Sequence, residues 1–216
     1  MFSAFEKFVH PYPDAAPAPP PNRLLPFVWH CTRGLRPYIA GMTLATAAIG
    51  AFEALLFGML GHVVDWLAVV QPARLWAEHG GTLALLAGVL FASVVLVALQ
   101  TLLKHQSLSG NFPMRLRWNF HRLMLAQSMS FYGDEFAGRI ATKVMQTALA
   151  VRDTWLIFCD ILVYVTIYFV TLVAIMGGFS WVLMLPFLGW LAAYAVALKV
   201  FVPRLGRIAQ AQADAR

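Results

Sequence analysis

Apolar residues along the chain fall into four long runs separated by polar or turn-forming stretches, a pattern that predicts helices buried in lipid rather than amphipathic helices on a soluble core. The clearest run, Leu83 to Leu103, carries no charged residue. Crossing the hydrocarbon core takes about 20 apolar residues at a rise of about 1.5 Å each. By this criterion spans are expected at about 37–64, 82–103, 154–177 and 181–202. Pro37 suits the start of the first, and Glu53 is its one charged interior residue. Helical spacing in the second continues through Lys104 toward Gln127, with a bend expected at Pro113. The turn Gly177-Gly178-Phe179-Ser180 is so short that spans three and four must form an antiparallel hairpin. Trp181, Trp190 and Tyr194 suit a helix with aromatic groups near the interface, and Pro186 is a kink site.

Ahead of the first span, residues 1–21 read as a disordered, Pro-rich cytoplasmic leader, made stiff and solvated by Pro17, Pro19, Pro20 and Pro21. The leader lacks the apolar core and small-residue cleavage site of a secretory signal. Residues 22–36 mix Leu24, Leu25, Phe27, Val28 and Trp29 with Arg33 and Arg36, a composition suited to an interfacial elbow helix; the plainer reading is a juxtamembrane start to span one. Orientation follows from basic residues. Lys104, Arg115, Arg117, Arg122, Arg139, Lys143 and Arg152 crowd the stretch between spans two and three, whereas the Val69 to Gly81 connection holds only Arg74. The positive-inside rule puts that stretch, and with it the N- and C-terminal flanks, in the cytoplasm.

Composition agrees with lipid as the solvent. The chain has 216 residues, 60% hydrophobic and 12% charged, and a mean hydropathy of +0.69; charged residues make up about a quarter of ordinary soluble domains. The net charge of +6 is spread between and beside the spans, which argues against a nucleic-acid partner. Cys31 and Cys159 lie far apart and read as small apolar residues. His62, His105 and His121 have no neighbouring ligand set, so no metal is expected. No Gly-Lys pair occurs, hence no Walker A loop, and no nucleophile has a base beside it, so this chain is not expected to be an enzyme or to hold a cofactor.

Several residues carry candidate roles. Gly50, Ala54 and Gly58 recur every four residues, a helix-packing stripe. Glu53 and Asp160 are acidic residues inside spans, where a charge costs about 2.5–3.5 kcal/mol on insertion scales. Glu53 either lines a path for a cationic or amphipathic substrate, with Phe52, Phe57, Tyr164 and Tyr168 around it, or makes a structural hydrogen bond; Asp160 is placed nearer the cytoplasmic side of the same cavity, and Asp65 at the outer end of span one. A long helix is expected to stop near Tyr132, Gly133 and Asp134 and a new one to start and run into span three, so a short exposed element should form the tip of a lever, with Phe131 and Tyr132 as apolar anchors for a partner; the plainer reading is a cytoplasmic loop with no partner.

The run Phe131-Tyr132-Gly133-Asp134-Glu135-Phe136-Ala137-Gly138-Arg139-Ile140-Ala141-Thr142-Lys143-Val144 resembles the first intracellular loop of ABC exporters. The resemblance extends from about Asn22 to Arg216. It implies an all-α membrane protein with an elbow helix and four transmembrane helices, the first part of a six-helix type-1 permease domain. It also implies that Ser130, Phe131, Tyr132, Gly133, Asp134 and Glu135 form a coupling helix against a nucleotide-binding domain. That domain, with its ATP and Mg, should lie downstream on the same polypeptide or on a separate subunit. The complete protein would pair with a second half, as a homodimer, in membrane lipid of the bacterial inner membrane, and would export an amphipathic or lipid-like substrate. Without the resemblance, a self-contained four-helix adaptor or small channel fits the same pattern, and a lipid-acting enzyme fits less well.

Overall fold

The computed structural model describes residues 3–69, 72–134 and 137–214, and every regular element among them is helical. In chain order they are α1 (Ser3–Glu6), α2 (Leu24–His30), α3 (Arg36–Val69), α4 (Pro72–Leu102), a π-helical segment (Leu103–Ser109), α5 (Asn111–Leu125), α6 (Met129–Asp134), α7 (Ala137–Leu156), a second π-helical segment (Ile157–Leu162), α8 (Val163–Phe179) and α9 (Trp181–Asp214). Four continuous helical stretches are long and apolar enough to cross a membrane, so the chain is a multi-pass membrane protein. The 34 residues of α3 extend about 50 Å, well beyond the roughly 30 Å hydrocarbon core.

Helix α4 starts ten residues earlier than the expected span, at Pro72. Proline is preorganised for a first helical turn, and its missing N–H is one that no helix start could satisfy internally. The expected Val69 to Gly81 connection is therefore mostly helix, with residues 70 and 71 outside the described set. Trp66 of α3 stacks on His79 of α4 at 4.3 Å, joining these two ends.

The irregularity expected at Pro113 begins before it. Pro113 lies in the first turn of α5 and is buried, while the helical register loosens over Leu103–Ser109. A proline cannot donate to the carbonyl four residues back, which here is Ser109. That orphaned carbonyl instead accepts from Arg152 Nη1 on α7 at 3.3 Å.

The chain separates into two compact units, Met1–Tyr168 and Phe169–Arg216. In the first, a core of Leu35, Ile39, Met42, Leu108, Phe112 and Leu116 is completed by Ala148, Val151 and Cys159, with Val9 of the leader and Cys31 against it. In the second, the end of α8 and the start of α9 form an antiparallel hairpin. Ser180 is its only non-helical residue; its hydroxyl accepts from the Val182 N–H at 3.4 Å, and Phe169 meets Trp190 at 5.9 Å across the pair.

The leader departs from the disordered, solvated strand expected of it. Val9 is fully buried, Ser107 Oγ donates to the Phe5 carbonyl at 2.8 Å, and Asn111 Nδ2 donates to the Glu6 carbonyl at 2.9 Å. Farther along, Arg122 Nη1 donates to the carbonyls of Pro13, Asp14 and Ala15 at 2.8–3.1 Å. The proline-rich strand after α1 keeps its carbonyls free because prolines donate nothing back, and Arg122 of α5 supplies the donor there.

Candidate functional site

Two regions carry chemistry that a membrane helix needs only with a reason: the helical tip around α6 and a set of polar side chains between the spans. The tip forms because α5 ends at Leu125 and Ala126 caps it. Ser128 Oγ then pairs with Ser130 Oγ at 2.8 Å and accepts the Phe131 N–H at 3.4 Å, a local cap that starts the next helix. Tyr132 folds back, donating its hydroxyl to the Met124 carbonyl at 2.6 Å. Its ring meets Phe131 edge-on at 5.4 Å.

The two aromatic residues do not point outward alike. Phe131 is half-buried and lines a groove of ≈ 580 Å³ with Phe27, Phe120, Leu123, Ile140 and Val144. Tyr132 is 36% exposed, whereas Met129, at 84%, is the most exposed apolar side chain of α6. Sequence reasoning overlooked Met129, although an unbranched thioether at a contact surface is a recognisable adaptable anchor. Gly133 has open space where a Cβ would project. Glu135 lies outside the described residues, and of Asp134 the backbone alone is described, as the end of α6.

Deeper in the helices, Asp160 belongs to a closed polar cluster. It pairs with Lys104, and Oδ1 accepts from Gln100 Nε2 at 2.8 Å and Thr46 Oγ1 at 3.2 Å. Lys104 and Asp160 both lie within π-helical segments, and Thr46 and Gln100 are buried. The i,i+4 spacing of Gln100 and Lys104 was available in the sequence as a sign of a polar helix face. Its pairing with Asp160 was not.

Glu53 is a separate centre. The Tyr164 hydroxyl donates to Glu53 Oε2, and Tyr164 stacks on Tyr168 at 5.9 Å. Among the described residues lining a cavity of ≈ 340 Å³ that includes Phe57, Leu60, Leu86 and Leu90, Glu53 is the sole ionisable one. Phe52 is absent from that wall. The Gly50 face receives the same tyrosine helix: a Cβ added at Gly50 would lie 3.2 Å from the Tyr164 carbonyl and 3.6 Å from the Tyr168 nitrogen. Ala54 is fully buried one turn on, and Gly58 is half-buried.

Residues 39–216 match the family described as ABC transporter transmembrane region. A curated protein of Haemophilus influenzae (strain ATCC 51907 / DSM 11121 / KW20 / Rd), named "Uncharacterized ABC transporter ATP-binding protein", is 46% identical over 217 residues, an alignment covering 100% of this chain and 35% of that protein. The chain thus spans about a third of the length of the curated relative it matches. No solved structure matches it. Four apolar spans, two long arms meeting at α6 and the match over residues 39–216 lead to one assignment: the chain belongs to the ABC transporter transmembrane family.

Proposed function

We propose that this chain forms the first part of the permease of an ATP-driven exporter, with the ATP- and Mg-binding domain elsewhere in the complete protein or on a separate subunit. The observation that carries the proposal is the short helix α6 held at the junction of α5 and α7, each of which continues into a membrane span. An exposed helical tip on two long arms is suited to docking in a groove of a nucleotide-binding domain and passing its movement to the spans. In physical terms ATP is then the ligand that favours one of two helix packings. The basic stretch and both flanks face the cytosol by the positive-inside rule, in a bacterial inner membrane, and a second copy completes the transporter.

The exposed Leu24, Leu25 and Trp29 of α2 suit a helix lying in the membrane surface. Glu53, in an otherwise apolar cavity, suits an amphipathic cargo with a cationic group. Substituting Phe131 and Tyr132 together with Ala in the full-length protein tests the tip. Expected are normal membrane insertion, retained basal ATP hydrolysis and transport in proteoliposomes reduced at least tenfold; undiminished transport removes α6 from the mechanism.

A further inference from the structure

The leader, the turn after α2 and one face of α5 enclose a cavity of ≈ 250 Å³ that the transport reading leaves unused. It is smaller than the roughly 300–1,000 Å³ of drug-sized sites. Its polar wall is His30, Arg33, Arg115 and Asn119, with Leu116 and Phe120 beside them, and among the described residues no carboxylate lines it. Asp14 of the leader is exposed and meets α5 through its backbone carbonyl, on Arg122.

Arg115 has a built seat there. Gly34 has φ 76°, a left-handed conformation that favours glycine, and a Cβ added to it would lie 2.6 Å from Arg115 Nη2 and 3.2 Å from Cζ. The missing side chain is the space that the guanidinium occupies. Yet among the described residues neither Arg115 nor Arg33 has a hydrogen-bond or ion-pair partner for its side chain. A partly buried cation held in place without a counter-charge is costly unless something pairs with it.

The surroundings report the same imbalance. Burial first, then the charges of Arg33 and Arg36, lower the pKa of His30 against the opposing pull of the Ala18 carbonyl.

We propose that this cavity binds a phosphate group, with Arg115 and Arg33 as its ligands. Planar guanidinium donors match phosphate oxygens and form charge-assisted bonds. The source is either the headgroup of an anionic phospholipid or a soluble phosphate; basic pockets beside the cytoplasmic ends of spans are suited to the former.

The test uses the full-length protein in neutral detergent, with thermal unfolding followed against dioctanoyl-phosphatidylglycerol, dioctanoyl-phosphatidylcholine or inorganic phosphate. Saturable stabilisation by phosphatidylglycerol, with half-saturation at least tenfold higher in Arg115→Gln and in Arg33→Gln and little response to the zwitterionic lipid, supports a lipid headgroup. Equivalent arginine-dependent stabilisation by inorganic phosphate supports a soluble source. Stabilisation that is absent, or unchanged in the variants, overturns the site. Arg33 is exposed, so its variant carries the test should Arg115→Gln not fold. Because binding is read without transport, failure here leaves the exporter reading standing.

Discussion

Replacing Lys104 with Met isolates the energetics of the polar cluster. Lys104 and Asp160 retain 29% and 17% of their side-chain exposure, so the pair lies between a surface bridge, about 0–1 kcal/mol, and a buried one, where removing one partner costs about 3–5 kcal/mol. Asp160 would keep its bonds from Gln100 and Thr46, each worth about 1 kcal/mol. The expected loss is therefore about 2 kcal/mol. Asp160→Asn should cost less, about 1 kcal/mol, because the lysine stem lets its ammonium reach toward water. The double variant should be more stable than the sum of the singles predicts, by about 1 kcal/mol or more, since neither charge is then stranded. A denaturant titration of the detergent-solubilised full-length protein, run as a double-mutant cycle, gives this coupling. Singles that add to within about 0.5 kcal/mol would refute the idea that the two charges hold the helices together.

Gly50→Val should destabilise by about 1–3 kcal/mol, the usual cost of overpacking, because its nearest obstacle is the backbone carbonyl of Tyr164. Gly61→Ala, with no atom within 4 Å of the new Cβ, is the control and should be neutral or slightly stabilising in the same melt. Glu53→Gln should reduce transport of a cationic amphiphile severalfold more than that of a neutral one, measured in proteoliposomes. Equal effects would leave Glu53 as the acceptor for Tyr164 and nothing more.

The spans were legible because lipid imposes a length and an apolarity that few other environments require. A break ahead of α7 was legible from Tyr132-Gly133-Asp134, but its place was not: α5 already ends at Leu125, and Tyr132, Gly133 and Asp134 lie inside α6. Where the helices leave the bilayer that constraint lapses, and the apolar run beginning at Thr82 gave no sign that α4 starts at Pro72. The docked leader was beyond reach for a different reason. Its anchors are the backbone carbonyls of Phe5, Glu6, Pro13, Asp14 and Ala15, which every sequence possesses. The π-helical segments have no residue signature; Pro113 marks the neighbourhood, but the loosened turn precedes it. Asp160 was recognisable as a costly residue, yet naming Lys104 as its partner requires the relative depth and rotation of two helices.

The connections between α5 and α7 fix what a force on the tip can do. At the tip, Tyr132 is tied to the end of α5 through the Met124 carbonyl. At the root, Arg152 of α7 holds the Ser109 carbonyl that Pro113 leaves without a helical donor. Just inside it, Lys104 and Asp160 join the two π-helical segments through which the arms enter the spans. Arms fastened at both ends resist scissoring, so a push on α6 would displace them together and strain the π-helical turns, where the helical hydrogen-bond ladder is already irregular. Loss of the tip and loss of the root should therefore differ in kind. Removing Phe131 and Tyr132 takes away the surface that receives the force, with one exposed hydrogen bond and one half-buried ring, and should lower the melt less than removing Lys104 does. Removing Lys104 weakens the fastening and should lower stability whether or not ATP is present. Both variants lowering the melting temperature by the same amount would mean that α6 is part of the packed scaffold and not a lever.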